Sequence, residues 1–425
     1  MDNERARLRE LLAAHEAYRA RTLNLIASEN ALSPAVRSAL ASDLVQRYGD
    51  YTGRDLGARH YRGNRYLEEI EREAAAIARR VFRAEHVELR PISGHVAGAA
   101  VLMGLCRPGD RVLEPGRDGG GHREAGKLAT SLLTPLDVRY LPFDPLQYNV
   151  DVPKTIQLIE AWRPRVVILG SSNYLFPHPV RAVAEALHRD PEAVLAYDAS
   201  HVMGFLAAGC FQDPLREGAD LVFGSTHKTL PGPQGGIIFS NRADLMERIS
   251  QATYPALVTN HHPFRIPALA LALLEMEQFG GEYCRQVVAN AQALGQALAA
   301  RGIPCVQAGG CYSRSHTVLA CVAAFGPAAA VAARLEEAGI ITTPATLPEH
   351  WGREGIRFGV QEITRRGAVE ADMAEIAGWT ARAVAPSGDL ASIAREAERF
   401  AAGLGPVRYT WDDGCQIRSS LSTSA

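Results

Sequence analysis

Short, continuously apolar segments alternate with segments of helical length through the first two thirds of the chain. The apolar segments lie at residues 110–115, 137–143, 165–172, 193–200, 219–224 and 235–240. Helical patterns lie among them at residues 93–106, 152–162 and 180–189. Continuously apolar strands separated by helices are typical of a parallel sheet that is covered on both faces. The pattern therefore predicts an α/β fold with a doubly wound, mostly parallel sheet, in which chemistry gathers at the carboxyl ends of the strands.

The pattern changes after about residue 275. One long amphipathic helix is predicted over residues 283–302, and shorter strand and helix signals follow at 317–325, 328–339 and 355–360. This change indicates a second, smaller α/β domain. The predicted organisation is an N-terminal helical arm at 1–45, a large domain at 46–275, a small C-terminal domain at 276–415 and a polar, disordered tail at 416–425.

Composition narrows the class of protein. The 425 residues are 47% hydrophobic and carry a formal net charge of −2, which allows a sizeable core and gives no electrostatic reason to expect nucleic acid or an anionic membrane. The N-terminal segment lacks the apolar core of a signal peptide, and no run of about 18 apolar residues occurs. The seven cysteines are scattered and never spaced as CxxC, which favours reduced thiols over disulfides or zinc. We therefore expect a cytoplasmic protein without membrane, nucleic-acid or metal partners.

Polar side chains stand where two of the predicted strands end. Asp198 and His201 come at the end of one apolar segment, and Thr226, His227 and Lys228 follow the next one. Because polar groups at the end of a buried strand are costly unless they are used, these residues are candidates for chemistry.

Two glycine-containing turns complete a recognisable set. Residues 92–98 form a Ser-Gly turn that opens a helix, where free N–H groups can bind a phosphate, and the glycine-rich residues 117–122 deliver His122. Taken singly, Asp198 could be only a helix cap and Lys228 only a surface residue. Together these groups are what pyridoxal 5′-phosphate (PLP) requires: a lysine for the Schiff base, an aspartate for the ring nitrogen, an imidazole over the ring and a turn for the phosphate. Their order along the chain predicts a PLP enzyme.

Four long segments carry a family resemblance. These are "LNLIASEN" (23–30), "YDASHVMG" (197–204), "GSTHKTLPGPQGG" (224–236) and "GIRFGVQEITRRG" (355–367). They resemble the motifs of serine hydroxymethyltransferases, which are PLP-dependent transferases of fold-type I. The resemblance covers residues 10 to 413 and is closest to the archaeal-type branch, in features such as "NHH" (260–262) and the terminal "YTWDDG".

The resemblance implies roles for the cofactor-facing residues. Lys228 would carry the covalently bound PLP, Asp198 would pair with the pyridine nitrogen, and His122 would stack on the ring. The remaining members of this set are His201 near the ring hydroxyl, Ser93, Gly94 and His95 at the phosphate turn, and Thr226 and His227 beside the lysine.

It also implies a substrate set and a partner. Ser28 and Arg357 would hold the carboxylate of the amino acid, a bidentate task suited to a guanidinium, and Ser172 would lie near the substrate. The positions that match residues reaching into the other subunit's active site are Tyr48, Tyr61 and Gly235. The resemblance therefore implies a homodimer with shared active sites.

The sequence departs from the family where folate would bind. Folate-dependent members read roughly Y-A-E-G-x-P-G-x-R-Y-Y-x-G after the N-terminal arm, whereas this chain reads "YGDYTGRDLGARHYRGNRY" at 48–66. The nearest match to the proton-transferring glutamate is Asp50, one methylene shorter, and the first tyrosine of the pair is His60. The N-K-N segment that contacts the pteridine becomes "TPA" at 343–345. Because a misplaced proton-transfer group can cost orders of magnitude in rate, these changes bear on the reaction.

These departures favour a folate-independent enzyme that cleaves and forms the Cα–Cβ bond of β-hydroxy-α-amino acids. It would be an L-threonine or serine aldolase, or a transaldolase that passes the glycyl unit to another aldehyde, such as a nucleoside aldehyde. Threonine transaldolases and α-methylserine-type enzymes are similar in the "THKT" and "TRRG" segments. The alternative is a folate-dependent serine or α-methylserine hydroxymethyltransferase, in which Asp50 or Asp55 does the work of the glutamate. Asp50, His122 and an ordered water stay open as the base for the β-hydroxyl.

Two other classes fit less well. An aminotransferase would share Lys228 and Asp198 but normally has a second arginine for a carboxylate. A paralogue without activity should have lost Lys228, Asp198 or Arg357, and all three are present. The arginines of the altered loop suit either a polar acceptor or a solvated surface; they are Arg54, Arg59, Arg62 and Arg65.

Overall fold

The computed structural model describes residues 2–130 and 135–411, so the tail predicted at 416–425 lies outside the described residues. The chain divides into two compact units. One, which we call the terminal unit, contains the described residues up to Ala31, together with Pro145–Tyr148 and Arg285–Arg408. The other, the sheet unit, contains the described parts of Leu32–Asp144, Asn149–Cys284 and the residues from Tyr409. The domain bounds given from the sequence stay a prediction.

Short strands and helices alternate along both units. The strands are β1 (Leu23–Asn24), β2 (His86–Glu88), β3 (Arg111–Pro115), β4 (Asp137–Leu141), β5 (Phe143–Asp144), β6 (Asn149–Val150), β7 (Val166–Gly170), β8 (Val194–Asp198), β9 (Leu221–Ser225), β10 (Gly236–Ser240), β11 (Thr317–Cys321), β12 (Ile340–Ile341), β13 (Thr343–Thr346) and β14 (Glu354–Gly359). The α-helices are α1 (Asp2–Ala20), α2 (Pro34–Leu40), α3 (Arg65–Phe82), α4 (Gly94–Leu105), α5 (Glu124–Ala129), α6 (Val152–Trp162), α7 (Val180–Leu187), α8 (Met203–Ala207), α9 (Pro214–Glu217), α10 (Ala243–Gln251), α11 (Arg265–Ala299), α12 (Ala328–Glu337), α13 (Gln361–Arg365), α14 (Glu370–Val384) and α15 (Leu390–Gly403).

Seven strands of the sheet unit form one sheet in the order β2-β10-β9-β8-β7-β3-β4. Neighbours from β9 to β4 pair in parallel, and β10 is antiparallel to both β9 and β2. The six apolar segments of the sequence become β3, β4, β7, β8, β9 and β10, close to their predicted bounds. The predicted α/β class with a mostly parallel sheet is thereby confirmed. The three-residue edge strand β2 has no comparable apolar run, and the sequence pattern did not indicate it.

Helices α4 and α10 cover one face of this sheet. Ala97 and Val101 of α4 share a buried apolar cluster with Ile168 of β7, Phe223 of β9 and Ile249 of α10. Every residue of β7, β9 and β10 is buried, as expected for strands that are covered on both faces. The apolar strand pattern thus reflects a sheet that lies inside the unit.

The terminal unit combines an N-terminal segment with residues 285–408 of the chain. Its three-stranded antiparallel sheet has the order β11-β14-β13, and β1 pairs in parallel with β12. The Leu23 N–H donates to the Gly339 carbonyl at 2.8 Å, and the Leu25 N–H donates to the Ile341 carbonyl at 2.9 Å. This pairing explains why residues before 31 belong to a unit that is built mostly from the C-terminal part of the chain.

The long helix α11 extends further than its amphipathic pattern predicted. It begins at Arg265, well before residue 283. In this first part, Ile266, Ala268, Leu269 and Leu273 are all buried. Because a helix that is apolar on most of its surface has no polar stripe, its period was not visible in the sequence. Among the described residues, no helix combines the length and the hydropathy that a membrane span requires.

Gly104 controls the approach of α4 to α10. A Cβ at this position would lie 3.0 Å from Ile249 Cα and 3.1 Å from the Arg248 carbonyl oxygen. We therefore expect Gly104→Ala to destabilise the protein by about 1–3 kcal/mol, because a backbone contact cannot yield as a flexible side chain can. Chemical unfolding followed by fluorescence and circular dichroism measures the change.

Gly378 gives a matched control within helix α14. A Cβ there would meet only Arg301 Nε, at 3.7 Å, which is an ordinary contact. Gly378→Ala should therefore be neutral or stabilising, by up to about 1 kcal/mol, since alanine is the better helix former. Equal effects of the two substitutions would contradict the close packing of α4 on α10.

Candidate active site

The predicted cofactor residues lie at one edge of the large sheet. Asp198 is the last residue of β8, Lys228 follows β9, and His122 follows β3. Strands β3, β7, β8 and β9 are consecutive and parallel, so their carboxyl ends meet at the same edge. The parallel pairing therefore brings together residues that are far apart in the sequence.

Hydrogen bonds fix the loop of Lys228 on both sides. Before the lysine, Thr226 Oγ1 donates to the Pro233 carbonyl at 2.7 Å and the Thr226 N–H donates to the Gly235 carbonyl at 3.1 Å. After it, Thr229 Oγ1 donates to the His201 carbonyl at 3.0 Å. Lys228 itself is half-buried between these anchors. Its backbone is therefore held in place by the segment that carries His201.

The residue before Lys228, His227, has a shifted pKa. Burial lowers the pKa of His227 to about 4, and the adjacent Lys228 charge adds to the shift.

Asp198 Oδ1 accepts a hydrogen bond from the Ser200 N–H at 2.8 Å, which orients the carboxylate at the strand end. Gly170, at the end of β7, lies so close that a Cβ there would be 2.6 Å from the Asp198 carbonyl oxygen. The tip of β8 is thus packed tightly against β7.

The predicted phosphate turn is the N-terminus of α4. Ser93 caps this helix, because its Oγ accepts from the Val96 N–H at 3.1 Å. A Cβ on Gly94 would lie 2.9 Å from the Ser225 backbone nitrogen, so only glycine lets the turn approach the end of β9. The helix N-terminus favours an anion electrostatically. Ser93 and Gly94 therefore fit a phosphate beside the Lys228 loop.

His122 lies beside a carboxylate that the sequence did not reveal. Glu124 Oε2 is 3.3 Å from His122 Nε2, and Glu124 Oε1 is 2.5 Å from His95 Nδ1. The glutamate side chain is only 5% exposed, whereas the two histidines are nearly half exposed. Lys127 Nζ lies 3.1 Å from His122 Nε2 on the outer side. The only sequence signal was a glutamate two residues after the predicted ring-covering histidine.

His95, His122 and Glu124 each offer one metal-ligating atom, and these three atoms lie within 4.8 Å of one another. A metal bound at about 2.0–2.1 Å to both groups would hold nitrogen and oxygen roughly 3 Å or more apart. The 2.5 Å separation of His95 and Glu124 is a hydrogen-bond distance instead. We therefore interpret His95 and Glu124 as a close pair of side chains and not as two metal ligands, and the expectation of no metal stays a prediction.

The residues at this edge fit PLP. Burial lowers the pKa of His122 to about 4; Asp198 opposes this shift, and Lys127, Lys228 and His95 add to it. The charges of Asp198 and Lys228, which stand at the ends of neighbouring parallel strands, are thus among the causes of this shift. Together with the glycine-lined helix N-terminus, these side chains supply the amine, the carboxylate, the ring cover and the phosphate cradle that this cofactor needs.

Asp50, a candidate base, is buried inside the sheet unit. It is 5% exposed, and its Oδ1 lies 3.7 Å from His261 Nδ1. Nε2 of the same histidine is 2.5 Å from Glu71 Oε1, and Arg59 pairs with the other oxygen of Glu71. Burial disfavours the His261 cation, but the neighbouring Asp50 carboxylate and the hydrogen-bonded Glu71 outweigh it and the pKa of His261 is raised. Sequence reasoning missed this network, whose members lie far apart along the chain.

The rest of the altered loop is more exposed. Tyr48 and Tyr61 are 51% and 46% exposed, and their ring centroids lie 5.4 Å apart. His60 Nε2 lies 3.2 Å from Thr52 Oγ1. Gly235 is buried against Arg265, whose guanidinium occupies the place of a Cβ. The structure therefore leaves three tyrosines of residues 48–66 at the surface of the chain, Tyr48, Tyr61 and Tyr66.

The predicted carboxylate site belongs to the terminal unit. Arg357 lies on β14 between Leu319 of β11 and Thr343 of β13. Burial lowers the pKa of its guanidinium, and Tyr148 opposes the shift. A half-buried guanidinium on a central strand is a rigid feature that suits recognition of a carboxylate.

The segment that carries Ser28 is bound to the end of the same strand. The Gly359 N–H donates to the Leu25 carbonyl at 2.7 Å. Gln361 Nε2 donates to the carbonyls of Ile26 and Glu29, at 2.8 and 2.6 Å. Ser28 and Arg357 are thus held by one rigid piece of the unit. The structure places the other substrate residue, Ser172, just after β7 in the sheet unit, where its N–H donates to the Gly120 carbonyl at 2.8 Å.

Comparisons with known proteins bear on the family resemblance. A family model described as serine hydroxymethyltransferase matches residues 1–380. A serine hydroxymethyltransferase from Saccharolobus islandicus is 38% identical over 423 residues, which cover 98% of this chain and 96% of the relative. Another, from Methanopyrus kandleri, is 40% identical over 410 residues and covers 94% of both. The resemblance noted in the sequence is thereby confirmed.

A solved structure shares this fold. The L-threonine transaldolase from Pseudomonas fluorescens, in its internal aldimine state, superposes with a TM-score of 0.89 at 29% sequence identity. The match covers 97% of this chain and 96% of that one. It supports the α/β fold predicted from the sequence over almost the whole chain.

The His261 network leads to a pH-dependent prediction. The folded-state pKa of His261 is raised, so the stability that its cation contributes is complete below pH 6.5 and is lost as the pH rises through the folded pKa. At pH 6 we expect His261→Gln to cost about 3 kcal/mol, because Asp50 then lacks its buried cation and Glu71 keeps only Arg59. The difference from wild type should shrink toward pH 8.5. Thermal unfolding between pH 5.5 and 8.5 measures it.

His15→Gln serves as the control, since His15 is exposed on α1. That variant should unfold as the wild type does across the same range. A stability difference for His261→Gln that stays constant with pH would show that His261 is not charged between the two carboxylates.

Proposed function

The chain belongs to the serine hydroxymethyltransferase family of PLP-dependent enzymes, and from this premise we propose that it breaks and forms the Cα–Cβ bond of a β-hydroxy-α-amino acid. The first candidate reaction is the interconversion of serine and glycine with transfer of the hydroxymethyl group. The observation that carries the proposal is the arrangement of Lys228, Asp198 and His122 at the carboxyl ends of neighbouring parallel strands.

Each of these residues has a distinct task. When bound, PLP supplies an electron sink for the electron pair left on Cα. Lys228 Nζ is the amine that binds the cofactor, and the Asp198 carboxylate holds a proton on the ring nitrogen. The His122 imidazole covers the ring and is neutral at pH 7, because burial lowers its pKa to about 4. Ser93 and the N–H groups that follow it bind the phosphate.

Arg357 and Ser28 bind the substrate carboxylate in this proposal. The guanidinium can donate two parallel hydrogen bonds to a carboxylate, which fixes the orientation of the amino acid as well as its charge. Orientation matters because the bond to be broken must be aligned with the electron sink, and alignment of reacting groups supplies a large part of enzymatic rate enhancement.

Two observations bear on whether folate takes part in the reaction. Relatives that are 38–40% identical over nearly the whole chain are serine hydroxymethyltransferases. They support folate-dependent transfer, which is the alternative drawn from the sequence. This support is stronger than the support for the folate-independent reaction, which the sequence favours. The second candidate, a threonine aldolase or transaldolase, is favoured by the altered folate-facing segments at 48–66 and 343–345. The burial of Asp50 against His261 adds to this second case.

Donor and folate dependence separate the two candidates. The purified holoenzyme is given L-serine or L-threonine, with and without tetrahydrofolate, and glycine and aldehyde are measured. If the first candidate is right, serine turnover rises at least about a hundredfold with folate. Rapid threonine cleavage without folate would favour the second. Silence toward both donors, with PLP bound, would exclude both reactions.

We also propose a homodimer with shared active sites, in which Tyr48 and Tyr61 reach the partner's site. Their exposure on the single chain supports this role. Lys228→Ala and Tyr61→Ala variants should each be inactive as pure proteins, and mixing them after partial unfolding should restore activity. A hybrid dimer then has one intact site, so about a quarter of the wild-type activity is expected for a random mixture.

One further measurement and one control test this prediction. Analytical ultracentrifugation reports whether a dimer forms, and a mixture of Lys228→Ala with Asp198→Ala serves as the control, since both changes affect the same site and no hybrid has an intact one. Recovery of activity in the control mixture, or no recovery in the first, would contradict shared sites.

A further inference from the structure

Ser28 stands in a segment whose carbonyl groups are bound from the C-terminal part of the chain. We call residues 25–29 the serine segment. Three of its carbonyls accept hydrogen bonds from Gly359 at the end of β14 and from Gln361. Because each bond fixes a main-chain atom, the serine segment has little freedom to move relative to β14.

His316 makes a fourth bond to the serine segment. Its Nε2 lies 3.0 Å from the Ala27 carbonyl oxygen, and the residue is 0% exposed. A carbonyl oxygen only accepts, so Nε2 carries a proton and donates. Thr317 Oγ1 lies 3.3 Å from the same nitrogen, and a hydroxyl oxygen can accept as well. The imidazole is therefore a buried donor directed at the residue next to Ser28.

Gly359 shows which face of β14 the serine segment covers. A Cβ at this position would lie 2.3 Å from Ala27 Cα, so the segment lies where the missing side chain would stand. Side chains two residues apart in a strand point to the same face, and their Cα atoms are about 7 Å apart. Arg357 is two residues before Gly359 in β14. Its side chain therefore leaves the strand on the face that carries the serine segment.

The two side chains at this face suit a carboxylate. Burial lowers the pKa of Arg357, because water is partly removed from the cation. A carboxylate would compensate that charge, and the Ser28 hydroxyl can donate to one of its oxygens. How well a carboxylate is bound depends on the distance and direction between these donors. A segment that is held at four carbonyls has this geometry before the substrate binds, which lowers the entropic cost of binding.

We propose that His316 is a positioning residue. By binding the Ala27 carbonyl, it sets the place of Ser28 relative to Arg357 and thereby the selectivity for substrates that carry a carboxylate. This inference rests on the proposed function, in which these two residues bind the carboxylate of the amino acid. His316 itself does not touch the substrate.

The test uses two ligands that differ only in the carboxylate. Glycine carries it and methylamine lacks it, and the binding of each to purified holoenzyme is followed by the absorbance of bound PLP. In the wild type we expect glycine to bind at least about a hundredfold more tightly, because charge-assisted hydrogen bonds to Arg357 stabilise only glycine.

His316→Leu removes the donor at a similar side-chain volume. We expect its dissociation constant for glycine to rise at least about tenfold and that for methylamine to change less than about twofold, since a small shift of the serine segment misaligns only the carboxylate donors. His316→Gln keeps an amide N–H at the reach of Nε2 and should restore most of the affinity for glycine. In turnover, His316→Leu should raise KM for the amino acid more than it lowers kcat.

Thr380→Val is the matched control. Thr380 is 2% exposed in α14, and its Oγ1 donates to the Ile376 carbonyl at 2.8 Å. The variant therefore also loses one buried hydrogen bond to a carbonyl of the terminal unit. It should lower the thermal midpoint without changing either dissociation constant. An equal loss of glycine and methylamine binding in His316→Leu, or the same selective loss in Thr380→Val, would overturn the proposal.

A milder variant and a second readout keep the proposal testable if His316→Leu folds poorly. The amide of His316→Asn stands where Nδ1 stands in the wild type, too far from the Ala27 carbonyl to replace the bond. Hydrogen exchange at the main-chain N–H groups of the serine segment should be faster in this variant than in the wild type and in His316→Gln. Unchanged exchange would show that His316 does not hold the segment.

Failure of the proposed function and failure of this inference give different results. A wild type that turns over neither serine nor threonine would contradict the reaction, while selective loss of glycine binding in His316→Leu would still support the role of His316. A wild type that binds glycine no more tightly than methylamine would overturn the inference, whichever reaction is catalysed.

Discussion

The parallel pairing of β8 with β7 and β9 is the constraint on which the candidate site depends. Asp198 and Lys228 are distant in sequence, and only the shared direction of their strands brings both to one edge. The contacts that maintain this register are tight, because Gly170 leaves no room for a side chain next to Asp198 and Thr229 is bound to the His201 carbonyl. The reactive groups are therefore placed by main-chain geometry, and their side chains need little freedom to reach one another.

Several buried charges of the sheet unit are paired with a group of opposite charge. Glu88 and Arg90 neutralise each other at the edge strand, and both are almost fully buried. His261 stands between two carboxylates, and Glu124 stands between two imidazoles. A charge removed from water is tolerated when it is paired and hydrogen-bonded, and removing one member leaves the other uncompensated. Such pairs make these regions sensitive to single substitutions.

Local patterns were sufficient to predict six of the seven strands of the large sheet and the polar residues at their ends. Continuous apolar runs report burial on both faces, and the turn residues and the lysine stand next to them in the sequence. The pairing of β1 with β12 could not be predicted, because a two-residue strand has no period of its own. Glu124 was missed for a related reason: its partner His95 and the space at Gly98 belong to a helix that is adjacent only in the fold. Asp50 was singled out by comparison with a motif, and its burial against His261 depends on residues more than two hundred positions away.

The contact between Gly98 and Glu124 also limits how this sequence can change. While the glutamate occupies its place, any residue larger than glycine at position 98 meets its side chain. A lineage could acquire the glutamate only after, or together with, a glycine in α4, and it cannot later replace that glycine without first losing the carboxylate. The two positions form an epistatic pair whose order of substitution is fixed by packing, so ancestral replacements at position 98 would be deleterious in this chain even if they were neutral in its ancestors.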